Sequence, residues 1–152
     1  YANDNWSQPD LQPAREDINL TLENVTVDTF VQNLQENITT DSLDFDIQVL
    51  NGDSSKLGKK DFKHDVNIIF YDGDNSEHKM REFFLNMMDF TEDVFTLVVD
   101  DANIQENVAI TKRFIDAMGL KVLYERELLN DQEDISMWWN GLYVVVLSKS
   151  GL

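Results

Sequence analysis

The sequence predicts an α/β domain of three layers, with a mainly parallel sheet and an antiparallel C-terminal strand. The stretch at residues 66–71, VNIIFY, is short and nearly continuously apolar, which is typical of a strand buried on both faces of a parallel sheet. From Val66 onwards, extended and helical apolar patterns alternate as a βαβαβ unit, which predicts parallel strands with helices packed on them. The 152 residues are enough for one such domain with a hydrophobic core, and we expect a single domain over residues 1–152.

The composition narrows the classes of partner. Asp and Glu number 29 against 12 Lys and Arg, so the formal net charge is -17, which argues against nucleic acid and anionic membrane surfaces as partners. The chain has no cysteine, which excludes a disulfide scaffold and thiolate chemistry. Apolar runs stay well below the ~20 residues of a membrane helix, and no basic-then-apolar leader pattern is recognisable. We therefore predict a cytoplasmic protein.

The first half of the chain predicts few regular elements. A strand stub is expected within residues 1–8, and Thr26 is placed to cap a helix over about residues 27–38, where apolar residues recur at helical spacing. Residues 45–50 read as a strand that ends at the turn sequence NGDS. Residues 55–65 carry four lysines and are expected to form a solvated connection.

The second half predicts helices over about residues 76–88 and 103–118, a turn at 89–93, and strands at 94–99, 120–126 and 142–147. Asn75 or Ser76 would cap the first helix, and Asn103 with Glu106 resembles a capping box for the second, which ends at Gly119. The residues expected to face the core are Met80, Phe83, Phe84, Met87 and Met88 on the first helix, and Ile104, Val108, Phe114, Ile115 and Met118 on the second.

Acidic residues follow two of the predicted strands at the point where each strand ends. Asp72 and Asp74 come directly after the strand at residues 66–71, and Asp100 and Asp101 come directly after the next strand. In open α/β sheets, ligands bind at the carboxyl ends of the strands. The sequence therefore predicts one acidic site at one edge of the sheet. The alternative is that Asp100 or Asp101 only caps the following helix.

These segments carry a resemblance to a known family. Residues 65–147 resemble the C-terminal half of a class I S-adenosylmethionine-dependent methyltransferase, and the nearest pattern is that of small O-methyltransferase-like proteins with a strand-DGDHS-helix segment. The corresponding stretches here are FYDGDNS, LVVDDAN and VLYEREL…WWNGLYVVVL. Residues 4–8, DNWSQ, and 51–54, NGDS, resemble the segments after the family's second and third strands. The resemblance implies a Rossmann-like fold and methyl transfer to an oxygen atom of a small molecule.

The resemblance also implies roles for individual acids near the cofactor. Asp4 takes the place of the acid that binds the ribose hydroxyls of S-adenosylmethionine, a task that suits a carboxylate because it accepts two hydrogen bonds from a diol. Asp53 and Ser54 would lie near the adenine, and Asp72 would be both the catalytic carboxylate and a further cofactor contact. Each of these residues is equally at home in an ordinary polar turn.

A metal site is implied by the same family pattern. In metal-dependent O-methyltransferases, acids at the positions of Asp72, Asp100 and Asp101 hold Mg²⁺, which lowers the pKa of a substrate hydroxyl and orients it. Asn75 stands where the DGDHS pattern has histidine, so this chain lacks a base there if that histidine acts as one in the family. His78 is a weak substitute, and we expect it to be an ordinary surface histidine.

One part of the family pattern is missing from the sequence. The family's first strand and its Gly-rich loop, which lie before the segment at Asp4, have no counterpart, so we expect an N-terminally incomplete methyltransferase fold. Without that strand, the sheet would have a gap with unpaired backbone groups. The gap would be closed by direct pairing of the strands at 45–50 and 66–71, by another chain, or by a further part of a longer gene product. The alternative function is therefore a non-catalytic module that acts through homo-oligomerisation or partner binding.

Trp138 and Trp139 would line a substrate mouth, form an oligomer contact or pack in the core.

Overall fold

The computed structural model describes residues 2–4, 32, 49–130 and 140–150, and the chain divides into two units, Tyr1–Ser54 and Ser55–Leu152. In the first unit, strand β1 (Ala2–Asp4) pairs in parallel with strand β2 (Val49–Asn51). Gln32 is helical, as predicted, while the rest of the predicted helix at 27–38 and residues 45–48 of the predicted strand lie outside the described residues.

The second unit contains a four-stranded sheet and two α-helices among its described residues. Its elements are β3 (Val66–Tyr71), α1 (Glu77–Met87), β4 (Thr91–Asp100), α2 (Gln105–Ala117), β5 (Lys121–Leu128) and β6 (Leu142–Ser148). The strand order is β3-β4-β6-β5; β3 and β4 are parallel, and β6 is antiparallel to both of its neighbours. The predicted α/β class and the antiparallel last strand are confirmed. The sheet is mixed in its pairings because β6 lies between β4 and β5, although β3, β4 and β5 run in one direction.

The core lies on one face of this sheet, where both helices pack. In β4, Phe95, Leu97 and Val99 are buried, and their neighbours on β6 and β3 continue the same apolar face. Phe84 of α1 and Phe114 of α2 meet with ring centroids 5.3 Å apart, so the helices share this core. The buried side of α1 matches the prediction, because Met and Phe recur there at helical spacing.

The opposite face of the sheet contradicts the prediction for β3. Ile68 is 64% exposed and Phe70 is 58% exposed, so this strand is buried on one face only. The reason is that both described helices of this unit lie on the other face. We call this surface the open face; its strands contribute Ile68, Phe70, Thr96, Val98, Val144 and Val146.

Two predicted boundaries are wrong. Strand β4 begins at Thr91 rather than after a turn at 89–93, because Thr91 pairs with Val66 and the Asp93 carbonyl accepts a hydrogen bond from the Lys149 N–H. The capping box does not form: α2 begins at Gln105 without a side-chain cap, and Ile104 is 47% exposed instead of facing the core.

The segment at residues 55–65 is also more than a solvated connection. It contains a short 3-10 helix, Lys59–Asp61, and Ser55 is only 2% exposed. The Lys79 Nζ donates to Ser55 Oγ at 3.2 Å, and Phe62 stacks on Phe90 with ring centroids 4.3 Å apart. The segment is therefore attached to α1 and to the start of β4 by specific contacts.

Candidate functional site

The ends of β3 and β4 bring acidic residues to one edge of the sheet. Because the two strands are parallel and Tyr71 lies opposite Val99, both strands end at the same level. Asp72 directly follows β3, and Asp100 is the last residue of β4. The predicted acidic edge is therefore formed as the strand pattern indicated.

Asp100 has a distinct electrostatic environment at this edge. Burial raises the pKa of Asp100, and the nearby Asp72 and Asp101 carboxylates raise it further. The Asp101 backbone N–H donates to Asp100 Oδ1 at 2.9 Å and opposes this effect. Asp72 and Asp101 therefore place negative charge close to Asp100 at this edge.

Asp101 is held by amides from two distant parts of the chain. Its Oδ2 accepts a hydrogen bond from Asn75 Nδ2 at 2.8 Å, and its Oδ1 accepts one from Asn140 Nδ2 at 2.9 Å. Its backbone is left-handed, with φ 57°, a conformation that Asp tolerates better than most residues. Neither Asp100 nor Asp101 caps α2 through its side chain, so that alternative reading is wrong.

The rim of the site continues into the ends of the β5–β6 connection. Asn103, which was predicted to cap α2, instead donates through Nδ2 to Asn130 Oδ1 at 2.8 Å and through its backbone N–H to the Asn140 carbonyl at 2.7 Å. Gly141 lies beside them with φ 75°, and a Cβ there would come within 2.6 Å of Asn103 Oδ1. Sequence reasoning missed Asn130 and Asn140, and the only signal was an asparagine at each end of the connection.

Asp74 makes its hydrogen bonds within the turn between β3 and α1 and not with the other acids of the edge. Its Oδ1 accepts a hydrogen bond from the Ser76 backbone N–H at 2.8 Å, which holds the pKa of Asp74 below its ordinary value. The Tyr71 hydroxyl donates to the Asp74 carbonyl at 2.7 Å and so fixes the turn between β3 and α1. Ser76 stands at the N-cap position of α1, which is one of the two predicted positions, but its side chain makes no capping hydrogen bond.

Three of the four predicted cofactor residues, Asp4, Asp53 and Ser54, lie in the first unit, and the fourth, Asp72, lies in the second. Asp4 ends β1 opposite Asn51, which ends β2, so the two parallel strands finish at one edge. Asp53 and Ser54 follow two and three residues after β2 ends and are half-buried. The side chain of Asp4 lies outside the described residues, and a site shared by Asp4 and Asp72 stays a prediction.

The three predicted metal ligands, Asp72, Asp100 and Asp101, are not arranged around a common ion position. Among the described residues, no group of three or more His, Cys, Asp or Glu side chains is arranged to hold a metal ion. Mg²⁺ commonly takes only one or two carboxylates and completes its shell with water, and Asp72 with Asp100 matches that oxygen-only donor set. Trp138 and Trp139 lie outside the described residues.

Comparisons with known proteins add no family assignment. No protein-family model matches the chain, and no curated protein matches it significantly. Within the described part of the chain, no helix has the length and apolar character needed to cross a membrane.

Proposed function

We propose that this protein is an S-adenosylmethionine-dependent methyltransferase that transfers a methyl group to an oxygen atom of a small molecule. The observation that carries the proposal is the acidic edge, where Asp72 and Asp100 lie at the ends of neighbouring parallel strands. The methyl donor is a sulfonium cation, so a site that concentrates negative charge attracts it. An anionic acceptor would be disfavoured for the same reason.

The parallel pair β3–β4 supports a Rossmann-like fold within this proposal, although the two described helices form a single layer on one face of the sheet. Strands β3 and β4 are joined through α1 and lie in parallel, while β5 and β6 form the closing hairpin that the resemblance implies. The first unit adds a second parallel pair, whose ends carry Asp4, Asp53 and Ser54. These three residues would bind the ribose and adenine of the cofactor.

The proposed chemistry depends mainly on positioning. An in-line methyl transfer needs the acceptor oxygen, the methyl carbon and the sulfur to be aligned, and holding them so lowers the barrier. Asp72 would orient the acceptor hydroxyl and take up its proton as the oxygen–methyl bond forms and the methyl–sulfur bond breaks, which leaves S-adenosylhomocysteine. Asp72 and Asp100 are the residues that would hold Mg²⁺, and the ion would lower the pKa of that hydroxyl when bound.

The proposal predicts a ligand effect on stability that depends on Asp72. Thermal unfolding is measured with and without saturating S-adenosylhomocysteine and Mg²⁺; at 100 times the Kd, binding adds about 2.7 kcal/mol to the free energy of unfolding. In a chain of this size, that raises Tm by roughly 5–10 °C. Asp72→Asn should show a much smaller rise. Asp93→Asn, at the exposed start of β4, is the matched control and should respond like the wild type. A full rise in Asp72→Asn would contradict the assigned role.

The second candidate function is a non-catalytic module that forms homo-oligomers. The open face favours it, because Ile68 and Phe70 expose apolar area on β3, which is an edge strand of the four-stranded sheet. Light scattering coupled to gel filtration should then show an oligomer that Phe70→Ser dissociates. Leu85→Ser, on the exposed side of α1, is the control and should leave the mass unchanged. A wild-type monomer at every concentration would exclude this function.

A further inference from the structure

Asp101 connects three segments at the acidic edge. Asn75 belongs to the loop after β3, Asn140 directly precedes the turn into β6, and Asp101 itself directly follows β4. The two amide donors lie 26 and 39 residues away from Asp101 along the chain, and each bonds a different carboxylate oxygen. A single carboxylate therefore links the loop after β3, the end of β4 and the approach to β6.

The backbone of Asp101 is fixed as firmly as its side chain. Its carbonyl accepts hydrogen bonds from the Ile104 N–H at 2.9 Å and from Asn107 Nδ2 at 3.3 Å. Asn107 is only 1% exposed, so this amide is anchored inside the unit. With both ends of the residue held, the direction of the carboxylate is determined by the surrounding protein.

This arrangement differs from the role that the family resemblance implies for Asp101. Both carboxylate oxygens already accept amide hydrogen bonds, whereas Asp100 uses Oδ1 for one bond from its neighbour's backbone. The described residues contain no group of three acids arranged around a common ion. The Asp101 carboxylate is turned towards the Asn75 and Asn140 amides, and this accounts for the difference from the metal-ligand role that the resemblance implies.

We propose that Asp101 is a positioning residue and not a cation ligand: its carboxylate ties the loop after β3 and the approach to β6 to the end of β4. In this way it sets where Asp72 and Asp100 lie. The effect on ligand binding rests on the proposed function. The linking of the three segments by the Asp101 carboxylate does not depend on it. Asn75 thus has a definite task in the place where the DGDHS pattern has histidine.

The test compares two substitutions that separate hydrogen bonding from charge. In Asp101→Asn, the new carbonyl accepts from Asn140, and the new NH₂ group donates to Asn75 once the Asn75 amide turns over. Asn also tolerates the left-handed backbone. Asp101→Gly keeps that backbone without strain but removes both bonds. The affinity for S-adenosylhomocysteine, with and without Mg²⁺, is measured for each variant by calorimetry.

The expected result is a loss in the glycine variant and a rescue in the asparagine variant. Asp101→Gly should weaken binding on the order of tenfold, as losses of positioning groups commonly do. Asp101→Asn should stay within about twofold of the wild type and keep the same dependence on Mg²⁺. Val145→Ala, which removes buried core atoms away from the edge, controls for lost stability and should leave the affinity unchanged.

Two results would overturn the inference while leaving the proposed function intact. One is a loss of Mg²⁺ dependence in Asp101→Asn equal to that in Asp100→Asn; the other is wild-type affinity in Asp101→Gly. If the wild type binds no ligand, the proposed function fails. Hydrogen exchange of backbone amides then tests whether the Asp101 carboxylate holds the three segments together. The backbone amides of Ala102 and Asn103, which donate to Gly141 and Asn140, should then exchange faster in Asp101→Gly only. Unchanged exchange would overturn the inference.

Discussion

At the scale of single residues, Tyr143 shows how a polar group is accommodated in the core. Its side chain is fully buried, and its hydroxyl donates to Glu125 Oε2 at 2.8 Å. Lys112 Nζ lies 5.3 Å from the ring centroid and pairs with Glu127 at 2.8 Å. Burial raises the pKa of Tyr143 far above its ordinary value, and the Glu125 carboxylate raises it further.

This raised pKa predicts a loss of stability in alkaline solution. The folded state keeps the phenol protonated, whereas the unfolded chain releases the proton near pH 10, so the contribution is complete below that pH and falls above it. The slope is about 1.4 kcal/mol per pH unit for one proton. Urea unfolding between pH 8 and 11 should show this extra fall in the wild type and not in Tyr143→Phe. Tyr124→Phe removes an exposed phenol and is the matched control. Equal slopes in the wild type and Tyr143→Phe would contradict the account.

The acidic residues of the candidate site were predictable one by one, and the groups that hold them were not. Asp72 and Asp100 stand where apolar runs stop, and the ends of strands are visible in a sequence. The pairing of Asp101 with Asn75 and Asn140 depends on three loops that meet only in the fold. Asparagine is so common in turns that its position alone does not predict a hydrogen-bond partner.

At the scale of elements, periodicity predicted α1 and the last strand well. Met and Phe at helical spacing give one apolar side, and Gly119, with φ 63°, ends α2 as expected. The burial of β3 was not predictable, because a continuous apolar run looks alike whether a helix covers one face or both. The start of β4 was missed because Glu92 and Asp93 are exposed and polar, although pairing with β3 and the Lys149 N–H extends the strand there.

At the scale of the whole molecule, charge and topology agree with each other. The net charge of -17 disfavours anionic partners, and the parallel ends of β3 and β4 collect part of that charge at one edge. The first unit has its own parallel pair, with Asp4 at the end of β1. The central claim of the proposed function is that the chain binds S-adenosylmethionine.

The most direct test is a calorimetric titration of the wild-type protein with S-adenosylhomocysteine, with and without Mg²⁺. The product is used because it cannot be consumed. The account predicts a Kd of about micromolar order, corresponding to roughly -8 kcal/mol. It also predicts that Asp4→Ala weakens binding by roughly tenfold or more, because hydrogen bonds to a charged group contribute about 1.5–3 kcal/mol. No binding at millimolar ligand would contradict the central claim. The second candidate function, homo-oligomerisation through the open face, would then be the one to test.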